Sequence, residues 1–158
     1  MSAELQEPEA GMVVRFNYQW ADARQPHKDR PACVVFVKLR PDPRPQPRSN
    51  QDGPVFVKEV IYVPISTKPP SKDQVSLKIP DQVCRHIGLQ EESWVIVSEC
   101  NVQYWPNDLS RVPGADGEWL YGFVPPRFFR KIRDEMVREL KEQRLKMQNV
   151  LYLPPRNA

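Results

Sequence analysis

Glycine is scarce in this chain of 158 residues, with six against 18 prolines. Flexible glycine linkers are therefore not expected. A proline share of about twice the usual ~5% points instead to short strands and stiff loops. Cysteine occurs only at Cys33, Cys84 and Cys100, with no CxxC spacing. That excludes a disulfide framework and a zinc ribbon, and it fits a reducing cytoplasm. No run approaches the ~20 apolar residues of a membrane span. The opening MSAELQEPEA is acidic without an apolar core, so no secretory signal peptide is expected. GxSxG, HExxH, P-loop and GxGxxG motifs are all missing. With two histidines, His27 and His86, and no clustered ligand spacing, neither a metal nor a cofactor is expected.

What is present suits one modest core: 40% apolar and 27% charged residues. The expected organisation is a disordered acidic N-terminus over 1–10, a single domain over 11–147 and a tail over 148–158. Met12, Val14, Phe16, Tyr18 and Trp20 alternate with polar or smaller residues, which predicts a half-buried strand over 11–20. A polar loop, ADARQPHKDRP (21–31), follows. ACVVFVKL (32–39) is a short β-branched run suited to a central strand. Five prolines and three arginines make 40–54 an extended basic loop. VFVKEVIYVPI (55–65) predicts a third strand that ends or bulges at Pro64. Val75, Leu77 and Ile79 alternate, DQVCRHIGL (81–89) reads as one or two helical turns stopped by Gly88, and 94–97, 99–105 and 119–124 read as strands. Phe129, Ile132, Met136 and Leu140 recur at three and four residues, predicting one amphipathic helix over 127–147. The last residues are expected to fray, with Leu151 and Leu153 able to dock. The sum is a mainly β fold, a compact, mostly antiparallel β-barrel with a long C-terminal helix packed on it or on a second copy.

Charge is unevenly spread. Residues 24–58 carry eight bases against three aspartates, and residues 127–147 carry eight bases against four acids. Such local surpluses suit a polyanion, although on charge alone a solvated face with ordinary bias is the better explanation. The cysteines read as buried small hydrophobes. Arg30 stands before Pro31 at the start of one central strand, and Ser66-Thr67 ends another. If those strands are neighbours, a guanidinium fork and a hydroxyl meet at one rim, a pair that binds phosphate and stabilises a pentacoordinate phosphorus. RNA brings its own nucleophile, the 2′-hydroxyl, so an RNA-cleaving site needs no metal where groups activate that hydroxyl, stabilise the phosphate charge and protonate the leaving oxygen. A salt bridge from Arg30 to Asp29 or another acid explains the residue equally well. Trp20, Tyr104 and Trp105 can stack on unpaired bases or belong to the core.

The order of these segments resembles the MazF/PemK (Kid-like) toxins of bacterial toxin–antitoxin modules. The likeness rests on Gly11-Met12-Val13-Val14-Arg15-Phe16, a loop, then Arg30-Pro31-Ala32-Cys33-Val34-Val35; on Val63-Pro64-Ile65-Ser66-Thr67; and on Ser93 to Asn101. Trp105-Pro106-Asn107-Asp108-Leu109 and Tyr121 to Pro126 resemble a longer PemK-like subgroup. The resemblance implies an SH3-like barrel (MazF/PemK/CcdB-like), usually a homodimer, that cleaves single-stranded RNA without metal and is neutralised by a cognate antitoxin. It implies Arg30 as the catalytic arginine and Ser66 at the catalytic threonine position, with Thr67 the adjacent alternative. Asp29 and His27 are candidate bases. Trp20, Arg24, Lys28, Arg44, Arg48 and Lys68 are the expected RNA contacts. The chain departs from the family in Lys28-Asp29 before the arginine, Gln25 for an acidic loop residue, and serine at 66. The same fold family includes inhibitors that seize a topoisomerase, so a non-catalytic barrel binding a protein, or simply nucleic acid, is the alternative.

Overall fold

The computed structural model describes residues 4–45 and 55–155. In chain order the elements are β1 (Met12–Tyr18), β2 (Lys28–Pro41), β3 (Phe56–Ser66), β4 (Ser76–Lys78), α1 (Asp81–Ile87), β5 (Trp94–Ile96), β6 (Glu99–Tyr104), β7 (Leu109–Ser110), β8 (Leu120–Phe123), α2 (Pro126–Lys141) and β9 (Lys146–Asn149). Among the described residues the fold is mainly β, with a largely antiparallel sheet and two helices. Residues 4–10 hold no regular element, yet Pro8 is buried and Glu7 ion-pairs with Lys58.

Strands β1, β2 and β3 are hydrogen-bonded in sequence order, and β1 also pairs with β7 and β8. Both faces of this trio are covered, which is why its apolar residues run continuously. Met12, Val14, Phe16 and Tyr18 lie in one core with Ala32, Val34, Val60 and Tyr62. There the Phe16 and Tyr62 rings stack at 4.1 Å. Val13, Cys33, Ile61 and Val63 fall in the other core, against Ile87 of α1 and Phe128, Ile132 and Met136 of α2. The C-terminal helix thus packs on its own sheet.

The sheet does not close into the expected barrel: among the described residues no pairing joins its ends. Along its length β3 changes partner. Glu59–Tyr62 pair with β6, whereas Ile65 and Ser66 pair with β5, which turns into β6 through Val97-Ser98. Pro64 sits at this changeover, between the two ladders, where a residue without an N–H is tolerated. The strand therefore neither ends nor bulges at Pro64.

Two other expectations are corrected. The helix spans Pro126–Lys141 rather than 127–147. Gln143 reverses the chain with φ 60°, and the Glu139 carbonyl accepts the Arg144 and Leu145 N–H groups. Leu140, expected on the buried face, is exposed, while Phe128 and Glu139 are buried. The tail does not fray at 148: β9 runs parallel to β6, with Glu99 opposite Lys146 and Val102 opposite Asn149. Beyond it the Val150 N–H donates to the Val102 carbonyl and Leu151 packs against the core. The turn of 81–89 forms as read, Gly88 ending α1 at φ 77° with its N–H on the Cys84 carbonyl.

Candidate functional site

A cleft of about 550 Å³ opens where the β1–β2 loop, the β3–β4 loop, the β5–β6 corner and β9 converge. Arg30, Ser66 and Thr67 all line it. The strand register accounts for this: Ala32 of β2 stands opposite Pro64 of β3, two residues inward from Arg30 and Ser66. Polar groups dominate the walls. Arg24, Lys28, Arg30, Lys68 and Lys146 supply five cations against the carboxylates Asp22, Asp73 and Glu99.

Arg30 is half-buried, and its guanidinium carbon lies 4.6 Å from the centroid of Trp20. That stacking fixes the plane of the fork. Trp20 is in turn held by the edge of Tyr18, at 5.2 Å between centroids. Burial pulls the Arg30 pKa down, opposed by Tyr18 and Glu99. Among the described residues no acid forms an ion pair with Arg30, and its buried Nε has no hydrogen-bond partner. An unpaired guanidinium donor beside a cleft is an unfavourable arrangement until an anion arrives.

The two hydroxyls differ. Ser66 is buried, and its Oγ accepts the Lys68 N–H at 3.0 Å and donates to the Lys68 carbonyl at 3.3 Å. It closes the turn that leaves β3. Thr67, one residue on, is exposed at the cleft.

Glu99 is the functional candidate that the residue pattern did not single out. It is only 5% exposed, at the start of β6, and it lines the cleft. Its Oε1 accepts the Tyr18 hydroxyl at 3.1 Å and the Ala21 N–H at 3.0 Å. Burial raises its pKa, against the lowering effect of Ala21, Tyr18 and Lys146. Tyr18 is pushed well up by burial and by Glu99. Two residues along, Asn101 exchanges two 2.8 Å hydrogen bonds with the Gln19 backbone. Side chains of β6 thus hold the start of the β1–β2 loop that forms one wall. Lys146, also missed, reaches the cleft through the β9–β6 pairing. A signal for Glu99 was available: Glu99, Asn101 and Gln103 recur at period two and share one face of a strand.

The other expected residues divide. Trp20, Arg24, Lys28 and Lys68 line the cleft, although Arg24 is ion-paired to Asp22 at 3.0 Å. Asp29 does not line it, since alternation along β2 turns it away from Lys28 and Arg30. His27 is exposed and also outside the lining. Arg44 lies elsewhere, paired to Asp42 at 2.8 Å and bonded to the Pro154 carbonyl. Arg48 lies outside the described residues. Trp105 packs against the core around Phe16 rather than in the cleft, which Tyr104 does not line either. All three cysteines are free and buried, and burial pushes the Cys33 and Cys100 thiols up to about 12. Among the described residues no helix is long and apolar enough to cross a membrane. Comparison with protein-family models, curated proteins and solved structures found no match.

Proposed function

We propose that this chain is a metal-independent endoribonuclease toxin of the MazF/PemK kind, built on an open, elaborated relative of the SH3-like fold, that cuts single-stranded RNA. In this reading it works in the cytoplasm as a homodimer, and a cognate antitoxin neutralises it. The observation that carries the reading is the convergence of Arg30, free of any ion pair among the described residues, with Ser66 and Thr67 in one cation-rich cleft. Arg30 binds the scissile phosphate and stabilises the charge that accumulates on the phosphorane. Thr67 adds a donor at the cleft, and Ser66 shapes the turn that presents it. Lys28, Lys68 and Lys146 attract the flanking phosphates. The 2′-hydroxyl attacks phosphorus, the P–O5′ bond breaks, and the products are a 2′,3′-cyclic phosphate and a 5′-hydroxyl.

The test is to incubate the protein with a mixed set of single-stranded RNAs in chelator. Wild type cuts and Arg30→Ala, folded to the same circular dichroism, does not. RNA binding without cleavage by wild type would make the chain a nucleic-acid binder. A stable protein partner with no cleavage would favour the non-catalytic alternative.

A further inference from the structure

The geometry points to Glu99 as the general base of this site, taking the proton from the attacking 2′-hydroxyl. This inference rests on the ribonuclease reading and adds the group that reading leaves unassigned. The two acid–base candidates legible in the sequence, Asp29 and His27, do not line the cleft, whereas Glu99 does. A base in such a site has to be held in one orientation, and Glu99 is: the Tyr18 hydroxyl and the Ala21 N–H fasten one carboxylate oxygen. Tyr18 also supports Trp20, on which Arg30 stacks. One run of contacts therefore couples the proposed base to the phosphate-binding fork.

The groups facing Glu99 come from every side. Tyr18 reaches it from β1, and Arg30 acts on the same cluster from β2. Cys100 adjoins it on β6, Gln74 supports it from the loop before β4, and Lys146 faces it from β9. Asp22, Arg24, Lys28, Lys68 and Asp73 line the same cleft. Burial dominates this balance and lifts the carboxylate above its ordinary range, which makes it a better proton acceptor at neutral pH. In the step, the O2′–H proton passes to Glu99 and O2′ forms the new bond to phosphorus. The P–O5′ bond breaks with its electron pair going to O5′, which takes a proton from water. Glu99 then returns its proton to solvent.

Glu99→Gln keeps an oxygen for Tyr18 and Ala21 and removes the basicity. Against an RNA that wild type cuts, kcat is expected to fall by about 10²- to 10⁴-fold. RNA affinity should stay within about twofold, as a purely structural role would not allow. Wild-type kcat should decline on the acid side through the raised carboxylate pKa, and the Gln variant should lack that limb. Glu99→Asp should keep the limb with partial activity, so the inference stays testable if the Gln variant folds poorly. Equal rates and equal pH profiles for wild type and Glu99→Gln would overturn the role of Glu99 and leave the ribonuclease reading standing. No cleavage by wild type would overturn both.

Discussion

At the scale of single residues, the two hydroxyls in the cleft have different duties. Ser66 is spent on the Lys68 backbone, whereas Thr67 is exposed to the cleft. Ser66→Ala should therefore cost about 1 kcal/mol of stability through the lost turn hydrogen bonds. Thr67→Val should leave the melting temperature unchanged and lower RNA cleavage. Thermal melts and initial rates on both variants check the division, and the reverse pattern would return the catalytic hydroxyl to Ser66. Glu99 yields a pH prediction. Its native pKa is raised, so the folded state holds more protons than the unfolded one across the window between the two values. Its contribution to stability is present in full below the ordinary carboxylate range and falls as pH rises through that window. Denaturant midpoints followed from pH 4 to 8 should show this fall in wild type, and Glu99→Gln should lack it.

At the scale of elements, contacts between strands and helices set the stability. Gly122 of β8 has φ 151°, and a Cβ there would come within 2.9 Å of the Ile87 side chain in α1. Gly122→Ala should destabilise the fold by roughly 1–3 kcal/mol, read as a lower urea midpoint with unchanged slope. Elements were legible where the pattern was local. The alternation of Met12 to Tyr18 gave β1, and Gly88 gave the end of α1. What failed depended on distant partners. EQRLKM after Lys141 contains no Pro or Gly, and only the reversal at Gln143 and the pairing of Lys146–Asn149 to β6 end the helix there. Lys28 to Arg30, read as loop, are strand because Asn17 and Phe16 of β1 pair with Asp29 and Arg30. Neither the open ends of the sheet nor the division of β3 between β5 and β6 is set by local pattern.

At the scale of the whole molecule, a formal net charge of +3 hides a cleft in which five cations meet three carboxylates. If three or four phosphates are neutralised there, the logarithm of RNA affinity should fall with the logarithm of salt with a slope of about −2 to −3. A slope near zero in a filter-binding titration would place RNA elsewhere or nowhere. The site was partly legible because Arg30 and Ser66-Thr67 belong to adjacent central strands, which short-range pattern can suggest. Lys146 enters through the pairing of β9 with β6, which local pattern does not reveal, whereas Glu99 lies on a strand face that its period-two polar residues already marked. The proposed chemistry thus joins residues from β2, β3, β6 and β9 in one cleft. Its most direct measurement is end-group analysis of a single-stranded RNA cut in chelator, repeated with 2′-deoxy at the mapped cleavage position. Wild type is expected to leave a 2′,3′-cyclic phosphate and a 5′-hydroxyl, the 2′-deoxy substrate should resist cleavage, and Arg30→Ala should leave both RNAs intact. Products ending in 5′-phosphate, cleavage of the 2′-deoxy linkage, or undiminished cutting by Arg30→Ala would contradict the account.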